Sequence, residues 1–406
     1  MAGVIDRYMG KLLAEGLVEP GQAVLAERDD DLQWSGPSPA RPLLEALFEG
    51  LEINSLLFAR PASPQARIVD ALARQALQEA PGAGAAKLAL KDNETRLFLH
   101  DVPVVESLDV DAIVEALRRR KSVIIPGEGI ITIGTVSVEQ CYVVFSSVLF
   151  ATFVKFFSDL LADKQAGDLR PWQTQTLAQV VAELPALQAG EIELARGPFA
   201  DEEAAYRAVA EAGKPLIRFG LVDSVMGNIS LRYGERLYIS QTGAALDELE
   251  GHVDPCPLDN SACTGITASS ELPAHLAIVR GSASEGGAAA CAILHAHPRF
   301  AVIMSLFCEQ ERGCAHRGRC HLSCPHQRYV AGVPVVGGES GNGPRALART
   351  VPAALAGTDG AIVYGHGVFT TGTTDFNAPM GRLFEIERAC REACFRALGL
   401  GASGGQ

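Results

Sequence analysis

The chain has 406 residues, 48% of them hydrophobic and 20% charged, which suits a soluble globular protein with two domains. A formal net charge of -13 argues against a nucleic-acid or anionic-membrane partner, although it allows a local phosphate pocket. No signal peptide is visible, and the most apolar run, Tyr142–Val154, is shorter than the about 20 residues that span a bilayer. We therefore expect a cytoplasmic protein whose ten cysteines are thiols or metal ligands rather than disulfides.

The first part of the chain, residues 1–163, is predicted to form an α/β domain. The periodicity of its apolar residues indicates helices at Pro42–Phe48, Arg67–Leu77 and Asp109–Arg120, and strands at Lys87–Leu90, Arg96–Leu99 and Ser122–Pro126. Ser137 and Gln140 have the spacing of a capping box, which predicts that a long buried helix begins there and extends to about Ala162.

The second part of the chain follows a polar stretch, residues 164–200, which contains three prolines and is predicted to connect two domains. Residues 201–400 are expected to form another α/β domain, and residues 401–406 a disordered tail. The indicated elements are helices at Asp201–Ala212, Glu271–Val279 and Asp375–Leu398 and strands at Leu237–Ser240, Ala292–Leu294 and Ala361–Tyr364.

One nine-residue pattern occurs twice. Gly127–Thr135 reads Gly-Glu-Gly-Ile-Ile-Thr-Ile-Gly-Thr, and Gly365–Thr373 reads Gly-His-Gly-Val-Phe-Thr-Thr-Gly-Thr. Each copy follows a short apolar strand and precedes a long helix, so we interpret the two domains as duplicates of one fold. Glu128 in the first copy stands where the second has His366, so we expect the first domain to be a degenerate copy without a metal site.

A pair of histidines, His295 and His297, follows the short apolar run Ala292–Leu294, which predicts a buried strand. Side chains two residues apart on a strand point to the same face, about 6.5 Å apart along the chain, so both imidazoles can reach one metal ion. The pair alone is weak evidence, because histidines also form hydrogen bonds in cores and on surfaces.

Three further features carry polar groups that are ordinary by themselves. His366 lies between two glycines, which allow a sharp turn. Ser269, Ser270 and Glu271 fit a helix N-terminus with a serine cap. His275 lies one helical turn after Glu271, and we interpret it as a structural hydrogen-bonding residue rather than a ligand.

Five short segments occur in a fixed order over residues 201–398. They are Gly227–Ser230, Ile239–Gly243, Ser269–Glu271 with His275, His295–Pro298 and Gly365–Gly367. In this order they resemble the class II aldolase/adducin family, which includes sugar-phosphate aldolases, epimerases and dehydratases. The resemblance implies a three-layer α/β/α class II aldolase-like domain, and the repeat extends that expectation to the first half as a duplication.

The resemblance also implies roles for single residues. His295, His297 and His366 match the family's metal ligands, normally for zinc and otherwise for another divalent metal. Glu271 matches the family's proton donor or acceptor, which can also touch the metal. The positions that match the family's substrate-phosphate site are Asn228, Thr242, Gly243, Ser269 and Ser270.

These residue types suit one kind of chemistry. Three neutral nitrogen ligands leave an open position on a divalent metal, which a sugar carbonyl and hydroxyl can fill. The metal then stabilises the enediolate that forms when a carbon–carbon bond breaks, and a carboxylate moves the proton. We expect a metal-dependent aldolase, an aldehyde-lyase acting by retro-aldol cleavage of a small phosphorylated sugar. The alternatives are a family epimerase or dehydratase, or a non-catalytic adducin-like scaffold. Family active sites lie between subunits, which implies a homo-oligomer, a dimer or a higher even number.

A cysteine-rich insertion follows the histidine pair. Cys308, Cys314, Cys320 and Cys324 fall within seventeen residues and are interleaved with histidines. Their spacing, C-x5-C-x5-C-x3-C, lacks the C-x2-C of common zinc knuckles, and the stretch is too rich in Arg and Gly to pack a core. It predicts a second, structural metal or iron–sulfur site, and a mobile loop with free thiols is the alternative.

Overall fold

The protein, as a computed structural model, divides into two compact units between Pro185 and Ala186. The structure describes residues 3–80, 82, 86–187, 192–223, 225–259, 261, 266–284, 291–309, 313–316, 320, 324, 326–338 and 343–401. The predicted tail lies outside these residues from position 402 onward. The division falls within the stretch 164–200 that the sequence marks as a connection, and the first part of that stretch is a helix of the first unit.

The first unit alternates helices and strands. Its helices are α1 (Val4–Ala14), α2 (Arg41–Gly50), α3 (Gln65–Glu79), α4 (Asn93–Phe98), α5 (Val110–Leu117), α6 (Val138–Ala166) and α7 (Pro171–Glu183). Its strands are β1 (Val18–Arg28), β2 (Leu32–Trp34), β3 (Ser55–Pro61), β4 (Lys87–Ala89), β5 (Asp101–Pro103), β6 (Ser122–Ile125) and β7 (Gly129–Gly134). Five strands form an antiparallel sheet in the order β2-β1-β3-β7-β6, and β4 pairs with β5.

Helices cover both faces of this sheet. Ile131 and Ile133 of β7 point into an apolar core with Phe48 of α2 and Ile113 of α5. Thr132, between the two isoleucines, points to the other face, because successive side chains of a strand alternate. Its hydroxyl donates a hydrogen bond of 2.9 Å to the carbonyl of Cys141 in α6. The unit therefore has three layers, with α6 on the face opposite α2 and α5.

Helix α6 is the central buried element of the first unit. Among the described residues it is the one helix long and apolar enough to cross a membrane, but 83% of its most apolar window is buried inside the protein. A helix that is apolar on all sides requires such an environment, and the core of a globular unit provides it. The helix includes the apolar run Tyr142–Val154, which the sequence predicts to be buried.

Two local predictions for the first unit differ from the structure. The segment Arg96–Leu99 is not a strand, because Asp92 accepts a hydrogen bond of 2.7 Å from the Thr95 backbone and caps the short helix α4. Helix α6 begins at the predicted place, but the Ser137 side chain makes no capping hydrogen bond. Gln140 Oε1 instead accepts hydrogen bonds from the backbone N–H groups of the two residues before Ser137.

The second unit has a larger sheet. Its helices are α8 (Glu202–Arg218), α9 (Leu272–Ser284), α10 (Arg299–Leu306), α11 (Leu347–Leu355) and α12 (Asn377–Ala397). Its strands are β8 (Asn228–Tyr233), β9 (Arg236–Ser240), β10 (Val253–Pro257), β11 (Ala292–Ala296), β12 (Arg328–Val330), β13 (Val333–Val336), β14 (Gly360–Val363) and β15 (Gly367–Gly372). The strand order is β10-β9-β8-β11-β15-β14-β13-β12, with β13 and β14 parallel and the other pairs antiparallel.

Three layers are also present in this unit. Ile293 and Phe369 of the central strands pack with Val279 of α9 and Val351 of α11 in one core. Thr370 follows Phe369 and points to the other face, where its hydroxyl donates a hydrogen bond of 2.9 Å to the carbonyl of Pro379 in α12. Helices α10 and α12 pack against each other on that face. The mixed α/β content agrees with the class predicted from the sequence.

The two sheets share a five-strand pattern. The order β9-β8-β11-β15-β14 in the second unit repeats the order β2-β1-β3-β7-β6 of the first, with antiparallel pairing throughout. The two copies of the nine-residue repeat form β7 and β15, at equivalent places. Ser55 pairs with Gly134 and Ala292 pairs with Gly372, so the neighbouring strands β3 and β11 are also in equivalent register.

Candidate metal centre

Two imidazoles at the end of β11 form the first half of the site. His295 and His297 are both buried, and their Nε2 atoms lie 3.0 Å apart. The strand places both side chains on the face of the sheet that packs against α9. Phe369 of the neighbouring strand stacks on His295 with ring centroids 4.1 Å apart and holds the ring in place.

A tight turn between β14 and β15 delivers the third imidazole. His366 Nε2 lies 3.3 Å from Nε2 of His295, and the ligand nitrogens of the three histidines all lie within 4.8 Å of one another. Gly365 takes a positive φ of 62°, which favours glycine, and its N–H donates a hydrogen bond of 2.8 Å to the Ser305 hydroxyl. Gly367 lies so close to β11 that a Cβ atom would meet the Ala296 carbonyl oxygen at 2.5 Å.

Glu271 completes the group from the start of α9. Its carboxylate is buried, with Oε2 lying 3.3 Å from His295 Nε2 and Oε1 lying 3.3 Å from His366 Nε2. The structure therefore brings together the four side chains to which the sequence assigns metal binding and proton transfer. They come from β11, the β14–β15 turn and the N-terminus of α9.

The protonation states follow from burial and hydrogen bonds. Burial lowers the pKa of His295 to about 4 and holds the pKa of His297 well below its usual value, so both rings are neutral at pH 7. His295 Nδ1 faces the Val368 carbonyl oxygen at 3.1 Å and must donate to it, which leaves the lone pair on Nε2. Burial alone would raise the pKa of Glu271, but the charges that His295 and His366 would carry when protonated, and the hydrogen bond from the Asn228 amide, hold it well below its usual value.

This donor set fits a divalent metal. Nε2 of His295 lies 3.0 Å from Nε2 of His297 and 3.3 Å from Nε2 of His366, so the three ring nitrogens converge on one point that a cation could occupy. Three histidines and a nearby carboxylate are ligands that zinc and related divalent ions take, and three protein nitrogens leave a position open. The Nδ1–H bond from His295 to a backbone carbonyl is the kind of support that metal-bound imidazoles usually have.

A chain of hydrogen bonds supports Glu271 from behind. Asn228 Nδ2 donates to Oε2 of Glu271 across 2.9 Å, and its Oδ1 accepts from Nε2 of His275. His275 Nδ1 in turn accepts from the Ser230 hydroxyl at 2.7 Å. Burial lowers the pKa of His275 to about 3, so the ring is neutral and these donor and acceptor roles are fixed. His275 is thus a structural hydrogen-bonding residue, as the sequence suggests.

The remaining candidate phosphate positions form one cluster beside Glu271. The Thr242 hydroxyl donates to the Ala268 carbonyl at 3.0 Å and accepts from the Ser270 N–H at 3.0 Å. Ser269 Oγ accepts from the Glu271 N–H at 3.3 Å, and Gly243 takes a positive φ of 73°. The structure gathers these four residues at the N-terminus of α9. Asn228 is separate in its contacts, because its side chain is bonded to Glu271 and His275.

Sequence reasoning missed one group that supports the site. Glu387 of α12 is buried, and its two carboxylate oxygens accept hydrogen bonds of 2.9 Å from the backbone N–H groups of Phe300 and Ala301. These are the second and third residues of α10, which begins directly after His297 and Pro298. A carboxylate at this position satisfies helix N–H groups that have no intrahelical partner. The available signal was an acidic residue within the buried stripe of α12, one position after Ile386.

The four cysteines of the insertion do not form a group comparable to the histidines. Within the part of the chain that the structure describes, the three histidines are the one set of potential ligands whose atoms all lie within 4.8 Å. Cys308, Cys314, Cys320 and Cys324 are all described, and none of them belongs to that set.

The comparison with protein families covers the unit that holds this site. Residues 207–394 match the model described as the class II aldolase and adducin N-terminal domain. The second unit is a class II aldolase/adducin-family domain. The first unit lies outside the matched residues.

Solved structures of class II aldolases are similar to about half of this chain. L-fuculose-1-phosphate aldolase from Thermus thermophilus is 25% identical, with 49% of this chain and 97% of that chain covered and a TM-score of 0.37. The sugar-phosphate aldolase from Thermotoga maritima is 21% identical, with 50% and 97% covered and a TM-score of 0.37. The N-terminal class II aldolase domain of a conserved Thermoplasma acidophilum protein is 13% identical, with 50% and 99% covered and a TM-score of 0.34. No curated protein sequence matches the chain.

Proposed function

We propose that the aldolase-family domain is a metal-dependent lyase that cleaves a small phosphorylated ketose into a ketone phosphate and an aldehyde. The observation that carries the proposal is the convergence of His295, His297, His366 and Glu271 in one buried group. A divalent metal bound there supplies a Lewis acid that polarises the carbonyl of the sugar. The three imidazoles hold it as neutral ligands and leave room for the sugar oxygens.

Glu271 has the position and charge of the group that moves a proton. Its carboxylate lies against the proposed metal ligands and is ionised, so it can accept the proton that the sugar hydroxyl loses as the carbon–carbon bond breaks and return it to the carbon next to the carbonyl. Asn228 holds the carboxylate through one hydrogen bond, while two histidines flank it. These contacts restrict Glu271 to the side of the sugar that faces the metal.

The cluster of Thr242, Gly243, Ser269 and Ser270 is the proposed phosphate site. A helix N-terminus with backbone N–H groups and hydroxyls binds phosphate without Lys or Arg, which suits an acidic protein. Glu271 directly follows Ser270, so a phosphate held here would place the adjacent sugar carbons beside Glu271 and the metal ligands. Because the proposed phosphate site and Glu271 are adjacent, the substrate is a small sugar phosphate.

There are two alternatives to an aldolase: another family enzyme that uses the same site, and a scaffold that does not use it. A sugar-phosphate epimerase or dehydratase would use the same Lewis acid and the same carboxylate, and the products distinguish them from an aldolase. A non-catalytic adducin-like scaffold would have no need of four buried polar side chains, each of which costs free energy to desolvate. The intact group therefore favours an enzyme.

We also propose that the first unit is a degenerate duplicate of the second. Thr132 and Thr370 occupy the same place in the repeat, and each donates to the carbonyl nine residues later, Cys141 and Pro379. The shared strand order and register support the same origin. In this register the three histidine positions of the second unit, His295, His297 and His366, correspond to Phe58, Arg60 and Glu128.

A duplicated chain could supply both halves of an interface that family members build from separate subunits. We propose a homo-oligomer with an even number of chains, and sedimentation of the full chain tests it. A dimer or larger even assembly is expected, whereas a monomer at micromolar concentration would remove this part of the proposal.

Metal analysis and a panel of ketose 1-phosphates test the proposed activity. We expect one metal per chain at the histidine site and release of a ketone phosphate from one of the sugars. His297→Ala should lose both the metal and turnover, whereas Glu271→Gln should keep the metal and lose about 10²–10⁴-fold in rate. Arg60→Ala, at the position equivalent to His297, is the matched control and should keep both. Tight folding with no metal would favour the scaffold.

A further inference from the structure

The proposed phosphate site is made by two irregular segments of the chain, residues 241–243 after β9 and residues 267–270 before α9. Gln241 and Ala268 form an isolated antiparallel bridge, which places the two segments side by side. Neither segment belongs to a strand or helix of the second unit, so the ladder of the sheet does not fix the distance between them. Their relative position therefore depends on a small number of further contacts.

A buried carboxylate on β10 joins these two segments. Asp254 Oδ1 accepts a hydrogen bond of 2.8 Å from Gln241 Nε2, and its Oδ2 accepts one of 2.6 Å from the Thr267 hydroxyl. Asp254 is 9% exposed, and a carboxylate with so little access to water needs donors from the protein. Its own position is fixed, because β10 pairs with β9 and Asp254 lies opposite Ile239. One donor comes from each segment, so Asp254 acts as a clamp between them.

The amide of Gln241 is held on its other side as well. The Gln241 backbone N–H donates to the His252 carbonyl at 2.9 Å, and Gln241 Oε1 lies 3.2 Å from His252 Nδ1. Because a carboxylate offers acceptors, Gln241 turns its nitrogen to Asp254 and its oxygen to His252, which donates from Nδ1. With both ends of the amide bonded, Gln241 cannot rotate away from Asp254 without the loss of two hydrogen bonds.

Thr242 connects the clamp to the exposed side of the site. Its N–H donates to the Thr267 carbonyl at 3.0 Å. Its hydroxyl donates to the Ala268 carbonyl at 3.0 Å and accepts from the Ser270 N–H at 3.0 Å. Thr242 and Ser270 are exposed, whereas Asp254 is buried, so a ligand meets the threonine and the serine rather than the carboxylate.

We propose that Asp254 is the positioning residue of the phosphate site. It holds the two segments at the separation at which Thr242, Gly243 and Ser270 can contact one phosphate, and it makes no contact with the ligand itself. The inference rests on the proposed function, because it assumes that a phosphate binds to these segments. Loss of the clamp leaves two segments that must be ordered when the ligand binds, and this cost lowers the affinity.

Matched variants separate the clamp from a general loss of structure. Asp254→Ala removes both acceptors, and Thr267→Val removes one donor from an exposed side chain while keeping its shape. Asp254→Asn can keep both contacts, because its amide oxygen accepts from Gln241 and its nitrogen donates to the Thr267 hydroxyl. Thr267→Ser keeps the hydroxyl. Glu235→Ala is the control, since it removes a carboxylate that is 91% exposed in the turn between β8 and β9.

Hydrogen exchange followed by mass spectrometry measures how firmly the two segments are held in the full chain without ligand. We expect exchange in residues 241–243 and 267–270 to be about tenfold faster in Asp254→Ala and Thr267→Val, because these contacts open more easily. Asp254→Asn, Thr267→Ser and Glu235→Ala should exchange at the wild-type rate. Exchange that is equally slow in Asp254→Ala and the wild type would show that the carboxylate does not hold the segments, and would overturn the proposal.

Calorimetric titration with inorganic phosphate measures the effect on binding. We expect at least about fivefold weaker binding in Asp254→Ala and Thr267→Val, and wild-type affinity in Asp254→Asn, Thr267→Ser and Glu235→Ala. The same ratio is expected when each variant is combined with His297→Ala, which excludes a phosphate bound to the metal. With a sugar phosphate that is turned over, KM should rise by the same factor in Asp254→Ala, while kcat and metal content stay unchanged.

The possible results distinguish this proposal from the proposed function. Equal phosphate affinity in Asp254→Ala and the wild type overturns the role of Asp254 and leaves the phosphate site in place. Absence of phosphate binding by the wild type overturns the phosphate site, and the positioning role falls with it. Absence of lyase activity together with the expected phosphate affinities supports the role of Asp254 and counts against the aldolase reaction. If Asp254→Ala does not fold, Thr267→Val decides the result by the same two measurements.

Discussion

Asn228 and Glu271 form a buried hydrogen bond in which the amide Nδ2 donates to carboxylate Oε2 across 2.9 Å. The orientation of the amide is fixed on its other side, where Oδ1 accepts from His275. The family resemblance implies a phosphate contact for Asn228, but the structure directs its side chain to the carboxylate. Asn228 therefore fixes the direction of the Glu271 carboxylate and adds to the contacts that hold the pKa of Glu271 low.

Replacement of Asn228 should change Glu271 more than it changes metal binding. In Asn228→Ala the carboxylate loses a donor and the His275 N–H loses its acceptor, and each unsatisfied buried group costs about 1–3 kcal/mol. We expect a raised Glu271 pKa, an acidic limb of the rate profile that moves to higher pH, and retained metal. Ser230→Ala is a milder control that leaves the Asn228–Glu271 bond in place. An unchanged pH profile in Asn228→Ala would contradict the assigned role.

His275 should make the fold sensitive to acid. Burial lowers the pKa of His275 to about 3 in the folded chain, whereas an exposed histidine has a pKa of 6.5. Below pH 6.5 the unfolded chain therefore binds a proton that the folded chain does not. The stabilisation is complete above pH 6.5 and is lost progressively as the pH falls toward 3, by at most on the order of 5 kcal/mol. His275→Gln keeps a donor for Asn228 and cannot titrate.

Urea unfolding of metal-free wild type and His275→Gln between pH 7.5 and 5 measures this difference. The wild type should lose stability faster than His275→Gln as the pH falls, while losses due to other histidines cancel in the comparison. Parallel pH dependence of the two proteins would show that His275 does not remain neutral in the fold.

The sequence predicts the site better than it predicts the first unit. Period-2 geometry places His295 and His297 on one face, and the glycines around His366 indicate a turn, so local rules suffice to predict where these three histidines lie. The strand Ser55–Pro61 was not predicted, because a continuously apolar run lacks the alternation that marks a strand. Its equivalence to the histidine strand becomes visible only through pairing with β7.

Contacts between distant segments account for the other differences. The segment after Asp92 is helical because Asp92 accepts a capping hydrogen bond from the Thr95 N–H. The alternation of apolar residues in the same segment had predicted a strand. Glu387 reaches the start of α10 from 86 residues away, as measured to Ala301, and no local pattern encodes that distance. The hydrogen bonds of Asn228 likewise join β8 to α9 only after the sheet forms.

Two equivalent glycines offer a matched test of the metal site. A Cβ atom at Gly367 would meet the Ala296 carbonyl oxygen at 2.5 Å and both imidazoles of β11 below 3 Å, whereas one at Gly129 would meet the Ala59 carbonyl oxygen at 2.5 Å. Gly367→Ala should displace His295 and His297 and reduce metal affinity by at least tenfold. Gly129→Ala should lower the thermal stability of the first unit and leave metal affinity unchanged. Calorimetric titration with Zn²⁺ measures the affinity of each variant. Equal affinities would contradict the expected displacement of His295 and His297 in Gly367→Ala.

Glu387 should make stability depend on pH in the opposite direction from His275. Burial raises its pKa to about 7 from a reference value of 4.5, although the N–H groups of Phe300 and Ala301 and the charges of Arg299 and Arg391 oppose the rise. The folded chain thus holds a proton that the unfolded chain releases above pH 4.5. The stabilisation is complete below pH 4.5 and is lost as the pH rises through 7, by at most on the order of 3 kcal/mol.

Glu387→Gln imitates the protonated acid and removes this titration. The two metal-free proteins should have similar free energies of unfolding at pH 5, and Glu387→Gln should become the more stable of the two as the pH rises to 8. Urea unfolding at pH 5, 6, 7 and 8 measures the difference, with Glu392→Gln on the exposed side of α12 as the control that should follow the wild type. If the free energy of unfolding of Glu387→Gln has the same pH dependence as that of the wild type, Glu387 is ionised across this range. The backbone N–H groups at the start of α10 would then lower its pKa by more than burial raises it.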